Sequence, residues 1–340
     1  MNVSQFIPFF NTILTLFILL AVGYVAGKTK IIQGSASKTL STLIIKVGQP
    51  AMIVNSLIKM EYSAQNLGLG LSTLLFGLVA HVFMAVISYF AFFRFRDPDE
   101  RKLTEFTAIF VNAGFIGIPI LESLFGDRGA FMGAFFVVMF NLVLWTWGII
   151  ILARGRNDVK LTPKKLINYG TVPCVIGFVL YLSKALLPLM ADGIRSVLGN
   201  GAPAVLSALG FLSRSAMSAL GHVASLCTPV STIIIGALLS TLTIKQIFCS
   251  KKIYYLCFIR LLAIPLLAST LMILLGFSSD WVLFAAAVLS MPSATSATML
   301  AELYDIRPEY SAQAVGSTSL LSIVTMPCVM LTVQKFTEIL

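Results

Sequence analysis

Apolar stretches long enough to cross a lipid bilayer recur along most of this 340-residue chain. A spanning helix needs about 20 such residues, because the hydrocarbon layer is about 30 Å thick and a helix rises about 1.5 Å per residue. Charged residues make up only 11% of the sequence, whereas a soluble domain carries about 25%. The pattern predicts an all-α polytopic membrane protein with no separate soluble domain.

The apolar stretches give ten candidate spans, and eleven is the alternative count. The fourth span covers roughly 104–124 and the ninth roughly 281–303. The seventh, at roughly 206–240, is too long for one straight span. We expect the residues around 195–215 to form an interfacial helix or an extended helical end, so the count between 191 and 240 stays open.

A basic loop at 154–166 divides the chain into two halves, 1–153 and 167–340, with five spans each. An odd number of spans gives the two halves opposite orientations in the membrane, as in inverted repeats. Prolines recur at corresponding places. Pro50 in the second span matches Pro229 in the seventh, and Pro119 in the fourth matches Pro292 in the ninth.

The basic residues predict the orientation. Most of the 24 Lys and Arg residues fall in the loops that a ten-span count places on one side, which is the cytoplasmic side by the positive-inside rule. The first positive side chain is Lys28, so the first segment resembles an uncleaved span rather than a signal peptide. We expect a multi-pass protein of the cell membrane with both termini outside, in the inner membrane if the chain is bacterial. These loops also explain the net charge of +10, and no nucleic-acid partner is expected.

Proline and small polar residues interrupt the fourth span near its middle. Hydrocarbon tolerates non-helical backbone only where it is buried in protein or lines a wet cavity. Pro119 lacks an N–H and frees a carbonyl one turn earlier, and Gly117 allows close approach of another backbone. Asn112 adds a neutral donor and acceptor. These three residues form one half of the predicted substrate site.

The ninth span is interrupted in the same way, and matching breaks in two halves mark the substrate site of many secondary transporters. Its candidate residues are Pro292, Ser293, Thr295 and Ser296. Their hydroxyls could satisfy freed carbonyls, coordinate a sodium ion or bind a carboxylate, or they could serve helix packing. The N-terminal end of a half-helix also favours an anion.

Several polar residues elsewhere are further candidates. Lys46, inside the second span, is a candidate counter-ion for an anionic substrate or the partner of a carboxylate. Asn141 in the fifth span could face the cavity or join two helices. Arg260 is expected to extend to a membrane surface. A protonatable coupling group would be sought among Glu122, Glu302 and His222.

No motif implies a cofactor or a metal site. The five cysteines show no C-x-x-C spacing, so free buried thiols are expected. The one role expected for an ion is the coupling of transport to Na⁺ or H⁺. The chain also lacks H-E-x-x-H and G-x-S-x-G, so an enzyme is not expected.

The run Asn112-Ala-Gly-Phe-Ile-Gly-Ile-Pro119 resembles a motif of the auxin efflux carrier family. The run Gln49-Pro50-Ala-Met-Ile-Val-Asn55 is similar to that family's second-span motif, and Pro292-Ser-Ala-Thr-Ser-Ala to its second crossover. The loop between the halves is short, so the bacterial malate and malonate permease branch is the nearer resemblance. The architecture is also related to that of the bile acid–sodium symporters.

The resemblance implies two inverted five-helix repeats, divided into a scaffold domain and a transport domain. Helices 4 and 9 would cross at their prolines, and an elevator-like motion would move the substrate. It also implies an organic anion as substrate, such as malate, malonate or an auxin-like acid, and a homodimer.

Our leading hypothesis is therefore a secondary transporter for a small carboxylate, and the resemblance to the symporters adds coupling to an ion as an expectation. The alternative is a membrane-embedded ligand sensor of the same fold that does not translocate its ligand.

Overall fold

The computed structural model describes residues 3–32, 35–155, 170–241 and 250–339. The predicted basic linker at 154–166 therefore lies mostly outside the described residues, as does Cys249. The structure is 88% helix, and the described residues contain no strand beyond one isolated bridge. The α-helices, in chain order, are α1 Val3–Lys28, α2 Ser35–Leu43, α3 Gln49–Lys59, α4 Ala64–Phe92, α5 Pro98–Ile109, α6 Ile118–Val143, α7 Ile149–Ala153, α8 Thr171–Ser183, α9 Leu187–Leu198, α10 Ala202–Leu239, α11 Lys251–Phe258, α12 Ile264–Leu274, α13 Ser279–Leu289, α14 Ser296–Leu303 and α15 Pro308–Ile339.

Seven helical stretches of the described chain are long and apolar enough to cross a membrane. They are Ile7–Lys28, Ala36–Lys59, Ala64–Phe92, Ala113–Ala153, Thr171–Leu239, Lys251–Leu274 and Pro308–Glu338, with Ser279–Leu289 as a shorter apolar helix. Two of the seven contain a change of direction. Gly126 within α6 has a φ of +63°, and Gly199 between α9 and α10 has a φ of +48°. Beyond Gly126 the backbone at Gly129 lies against the carbonyl of Leu121, so the chain turns back on itself.

Turns of π-helix precede three of the intramembrane prolines. They span Ile44–Gly48, Ala113–Gly117 and Ile259–Ala263, and in each case the next α-helix has proline as its second residue. Proline has no N–H to donate and its ring clashes with the carbonyl one turn earlier. A wider turn relieves that clash, which explains why helices continue through these positions with a local bulge.

Helices α1, α3, α8 and α10 pack on one another and are called here the α1 group. Glycines allow the closest contact. A Cβ on Gly23 of α1 would overlap the backbone carbonyl of Ile233, and one on Gly236 of α10 would overlap the carbonyl of Leu20. Close backbone approach at small residues is the usual way that membrane helices associate, since lipid provides no hydrophobic drive.

Helices α4 to α6 and α11 to α15 form a second unit, called here the crossing group. Its interior holds an aromatic cluster around His81, whose ring stacks on Phe136 at 5.4 Å between centroids and lies 5.9 Å from that of Phe110. The Nδ1 of His81 lies 2.6 Å from the carbonyl oxygen of Gly77. The histidine is therefore a packed residue of this cluster. Helix α6 also contacts α1 and α3, so it joins the two groups.

Ion pairs at one end of the molecule join four loops. Arg307 pairs with Asp97 and Glu100, and Lys252 also pairs with Glu100. Arg154 pairs with the buried Glu105. The sequence places these same loops on one side of the membrane, and their mutual contacts agree with that grouping.

The other set of loops is joined in the same manner. Lys59 lies 2.8 Å from Glu122, and Arg128 lies 3.7 Å from Asp280. The 29 residues of α4 connect this end to the loop that contains Asp97. A helix of that length spans roughly 43 Å, so the two sets of loops lie on opposite faces of a bilayer.

The residues around 187–217 form a helical extension. Helix α9 has no buried residue, and α10 runs for 38 residues, which is roughly 57 Å and longer than a bilayer is thick. Apolar side chains such as Val205, Phe211 and Met217 are exposed there. Of the two predicted alternatives, the structure thus has the extended helical end, preceded by the short helix α9.

Candidate functional site

The two interrupted segments lie against each other and pair through their backbones. The N–H of Asn112 donates to the carbonyl of Pro292 at 2.8 Å, and the N–H of Ala294 donates to the carbonyl of Phe110 at 2.8 Å. Together these bonds make an antiparallel bridge between Val111 and Ser293. Backbone N–H and C=O groups outside a helix find no hydrogen-bond partner in hydrocarbon, so here each break supplies partners for the other.

The first break lies earlier in the chain than the sequence predicts. Helix α5 ends at Ile109 and the non-helical residues are 110–112, whereas Pro119 is the second residue of α6. The π-turn at Ala113–Gly117 leads directly into α6, and the N–H of Ile118 donates to the carbonyl of Ala113. This widened turn accommodates a proline inside a continuous helical segment. The expectation that the helices cross at both prolines is therefore wrong for Pro119 and correct for Pro292.

Gly117 nevertheless belongs to the crossing. A Cβ at this position would lie 2.6 Å from the Sδ of Met291 in the second break. A side chain at this position would require the thioether of Met291 to move, so the small size of Gly117 allows the close packing seen here.

The second break follows α13, and the carbonyls in the last turn of this helix all accept hydrogen bonds. The N–H groups of Ser290 and Met291 donate to Ala286 and Val288, and the Ser290 hydroxyl donates to Ala287 at 3.1 Å. Pro292 cannot continue the helix because it has no N–H. The carbonyl of Leu289 is left for a side chain from another helix.

That side chain is Arg260, which is fully buried in the π-turn before α12. Its Nη1 donates to the carbonyl of Leu289, and its Nη2 donates to the carbonyl of Met291 at 2.7 Å. Its Nε has no partner among the described residues. The expectation that Arg260 extends to a membrane surface is wrong, because its guanidinium closes the end of a broken helix in the protein interior.

The predicted hydroxyls of the ninth span differ in their surroundings. Ser293 is fully buried, and its hydroxyl donates to the carbonyl of Thr107 at 2.7 Å, so it ties the two segments together. Thr295 precedes α14, and its carbonyl accepts from the N–H of Thr298. The buried Oγ of Ser296, at the start of α14, has no partner among the residues described.

Asn112 is the other buried polar group left open at the crossing. It is 3% exposed, and its Nδ2 has no hydrogen-bond partner within the part of the chain that the structure describes. A buried amide donor without an acceptor costs roughly 1–3 kcal/mol. Such a group at a helix break is available to a ligand.

A cavity of about 40 Å³ lies between the two groups of helices, at the crossing. Its walls are apolar residues of α1, such as Leu16, and of the α6 segment, such as Ile116. The polar contributions come from the hydroxyls of Thr232, Ser319 and Ser322. This volume holds only a few water molecules, so the structure shows a closed arrangement.

Of the predicted site residues, Pro292 is the one in the lining of this cavity. The candidates from outside the two breaks lie elsewhere. Lys46 is exposed on the π-turn of the second span. Asn141 is buried, and its Nδ2 donates to the carbonyl of Val137 on its own helix at 2.8 Å. Glu122 pairs with Lys59 at one end of the molecule, and His222 is exposed on α10. Glu302 belongs to α14, but its side chain is outside the described part of the structure.

Two contributors at the crossing could not be assigned from the sequence. Thr107 supplies a carbonyl and Thr318 a hydroxyl, which lies 3.3 Å from the N–H of Ser293. The sequence does mark Arg260 as unusual, since an arginine between apolar runs is costly in a membrane and requires either a path to the surface or an internal partner.

A helical membrane protein with two interrupted segments that meet in its interior has the arrangement of a transporter. The sequence matches the family described as membrane transport protein over residues 8–168 and 158–330. The chain belongs to this family, and its resemblance to the auxin efflux carriers is confirmed. An uncharacterized transporter of Methanothermobacter thermautotrophicus is 22% identical over 324 residues, which cover 93% of this chain and 96% of the relative.

Proposed function

We propose that this transporter moves a small organic anion, such as malate, malonate or an auxin-like acid, and binds it at the crossing of the two breaks. The observation that supports this proposal most is the Nδ2 of Asn112, which is buried beside the bridge to Pro292 and has no hydrogen-bond partner among the described residues. An amide N–H is a donor that a carboxylate oxygen accepts.

The electrostatics of the crossing favour a negative charge. The α14 helix begins at Ser296, and a helix N-terminus has a partial positive charge. The N–H groups of Ala297 and Thr298 in its first turn already donate to the carbonyls of Ala294 and Thr295, so this helix end contributes through its dipole. Arg260 adds a full positive charge next to the same break, and no described carboxylate pairs with it. The cavity hydroxyls now donate to their own helices, and rotation would let them donate to a ligand.

The apolar walls explain how the anion could move. Ten spans in two inverted repeats would place the α1 group as the scaffold domain and the crossing group as the transport domain. The boundary between them at the cavity is formed by apolar side chains such as Phe17 and Ile120, which can slide without breaking polar contacts. We propose an elevator-like motion along this boundary, in a cell membrane with both termini outside and, by resemblance, as a homodimer.

The test is uptake of radiolabelled malate, malonate and indole-3-acetate into proteoliposomes that contain the purified protein. Asn112→Ala should retain expression and folding and lose most uptake. Asn141→Ala is the matched control, because Asn141 is equally buried but bonds to its own helix. Full uptake by Asn112→Ala would contradict the assignment of the site, and saturable binding without flux would contradict translocation.

A further inference from the structure

We propose that Arg260 is the built-in cation of the crossing, so that the site binds its anion without a sodium ion. This inference rests on the proposed function. It concerns the group that neutralises the partial negative charge at the C-terminal end of α13, where a bound metal ion could otherwise do so.

The geometry starts from the negative end of a helix. Helix α13 ends at Leu289 in the protein interior, and the C-terminal end of a helix has a partial negative charge. Inward-facing carbonyls of unwound backbone are also the ligands that coordinate Na⁺ in transporters with broken helices. Here the carbonyls of Leu289 and Met291 both accept hydrogen bonds from Arg260.

The guanidinium occupies the place that a cation would take. Its two Nη groups bind carbonyls on either side of Ser290, and the planar fork fixes both at once. The other α13 carbonyls, of Ala286, Ala287 and Val288, are already satisfied by Ser290 and Met291. Each of these five carbonyls thus already accepts a hydrogen bond, so a second cation bound to them would have to share or displace a donor.

The charge of Arg260 has no described counter-charge. The acidic side chains with resolved partners pair with other bases, for example Glu105 with Arg101 and Arg154. A buried charge without an opposite charge beside it is costly, and an arriving anion would lower that cost. Met291 adjoins Pro292, whose carbonyl binds Asn112, so the positive charge acts on the same site as the free amide.

The test measures melting temperatures of the full-length protein in detergent, with sodium or choline salts at equal ionic strength. The probes are malate, malonate and indole-3-acetate, together with indole-3-acetamide as the neutral counterpart of the last acid. For the wild type we expect the same apparent acid affinity in both salts and weaker binding of the amide.

Variants separate charge from structure. Arg260→Gln should bind the acid about tenfold more weakly and lose its preference for acid over amide, because a charge nearby contributes on that order. Sodium should partly restore this variant, since the two carbonyls are then free to coordinate it. Arg260→Lys keeps the charge and should keep the preference. Arg214→Gln, on the exposed face of α10, is the control and should match the wild type.

Two results would overturn the inference. One is a wild type that binds acids only with sodium, which decides the matter even if Arg260→Gln fails to fold. The other is Arg260→Gln with unchanged acid affinity and preference. A wild type that responds to no acid in either salt would instead refute the proposed anion substrate, and this inference with it.

Discussion

The N–H of Asn112 lies 2.8 Å from the carbonyl oxygen of Pro292, which joins two breaks that are far apart in the chain. The bond places a free amide donor of one half of the protein against the interrupted helix of the other. Each break satisfies the other's backbone, so neither could be stable in a membrane alone. The site therefore depends on both halves being folded together.

Replacing Pro292 should disable transport without unfolding the protein. Pro292→Ala gains an N–H and can extend α13 by a residue, which would move the carbonyl that binds Asn112. We expect uptake to fall about tenfold or more, since small displacements at a site cost rate steeply. The control is Pro203→Ala at the exposed start of α10. Normal uptake by Pro292→Ala would show that the break does not depend on this proline.

Glycines at the α1–α10 contact should be sensitive to a single methyl group. Gly23→Ala forces the helices apart and should destabilise the fold by about 1–3 kcal/mol. Gly68→Ala in α4 meets no atom within 4 Å and should stabilise by about 0.5–1 kcal/mol, because alanine favours a helix. The melting temperature of each variant in detergent measures these changes in stability. If both variants melted at a higher temperature than the wild type, or both at a lower one, the packing described would be contradicted.

The buried carboxylate of Glu105, at the end of the molecule where Arg154 and Arg307 lie, should contribute more to stability than an exposed carboxylate. The side chain of Glu105 is 2% exposed and pairs with two arginines, so Glu105→Gln should cost about 1–3 kcal/mol. Asp192 pairs with Arg195 on the exposed α9, so Asp192→Asn should cost less than about 1 kcal/mol. Equal melting temperatures for the two variants would show that burial does not strengthen the Glu105 pair.

Asp97 links the start of α5 to Arg307, and the stability that it contributes should depend on pH. Its carboxylate accepts the N–H groups of Glu100 and Asp99 at 3.0 Å each. The Glu100 N–H and the Arg307 guanidinium hold the pKa of Asp97 below its ordinary value. The folded state thus binds this proton less readily than the unfolded state, so the stabilisation is present at neutral pH and is lost as pH falls through the lowered pKa.

Asp97→Ala should lose the helix cap and about 1 kcal/mol, whereas Asp97→Asn keeps a capping acceptor and loses less. The difference in melting temperature between the wild type and Asp97→Asn should shrink in acid. A difference that stays constant with pH would exclude a contribution from the charge of Asp97.

The sequence predicts the second break better than the first, and for a physical reason. Pro292 falls where the helix must end, because its missing N–H is a local property. At Pro119 the same local rule misleads, because the π-turn at Ala113–Gly117 accommodates the proline and the helix continues through it. The true break at Asn112 is set by pairing with Pro292, and such a non-local contact leaves no local sequence signal.

Arg260 illustrates the same limit. An arginine in an apolar run suggests either a path to the membrane surface or an internal partner, and the sequence alone does not decide between them. Its partners are the carbonyls of Leu289 and Met291, which can accept a side-chain hydrogen bond because α13 ends there. The all-helical fold follows from composition, and the crossing of the two segments is expected from the resemblance to the auxin efflux carriers. The hydrogen bonds of Arg260 to the end of α13 follow only from the three-dimensional arrangement.

The most direct test of an anion site at the crossing is ligand-induced stabilisation of the purified protein by a panel of small carboxylates. A ligand that binds the folded state raises the melting temperature by mass action. We predict that at least one of malate, malonate or indole-3-acetate raises it for the wild type and for Asn141→Ala, and that Asn112→Ala loses the response. Equal stabilisation of Asn112→Ala, or a response only to neutral or cationic solutes, would contradict the site.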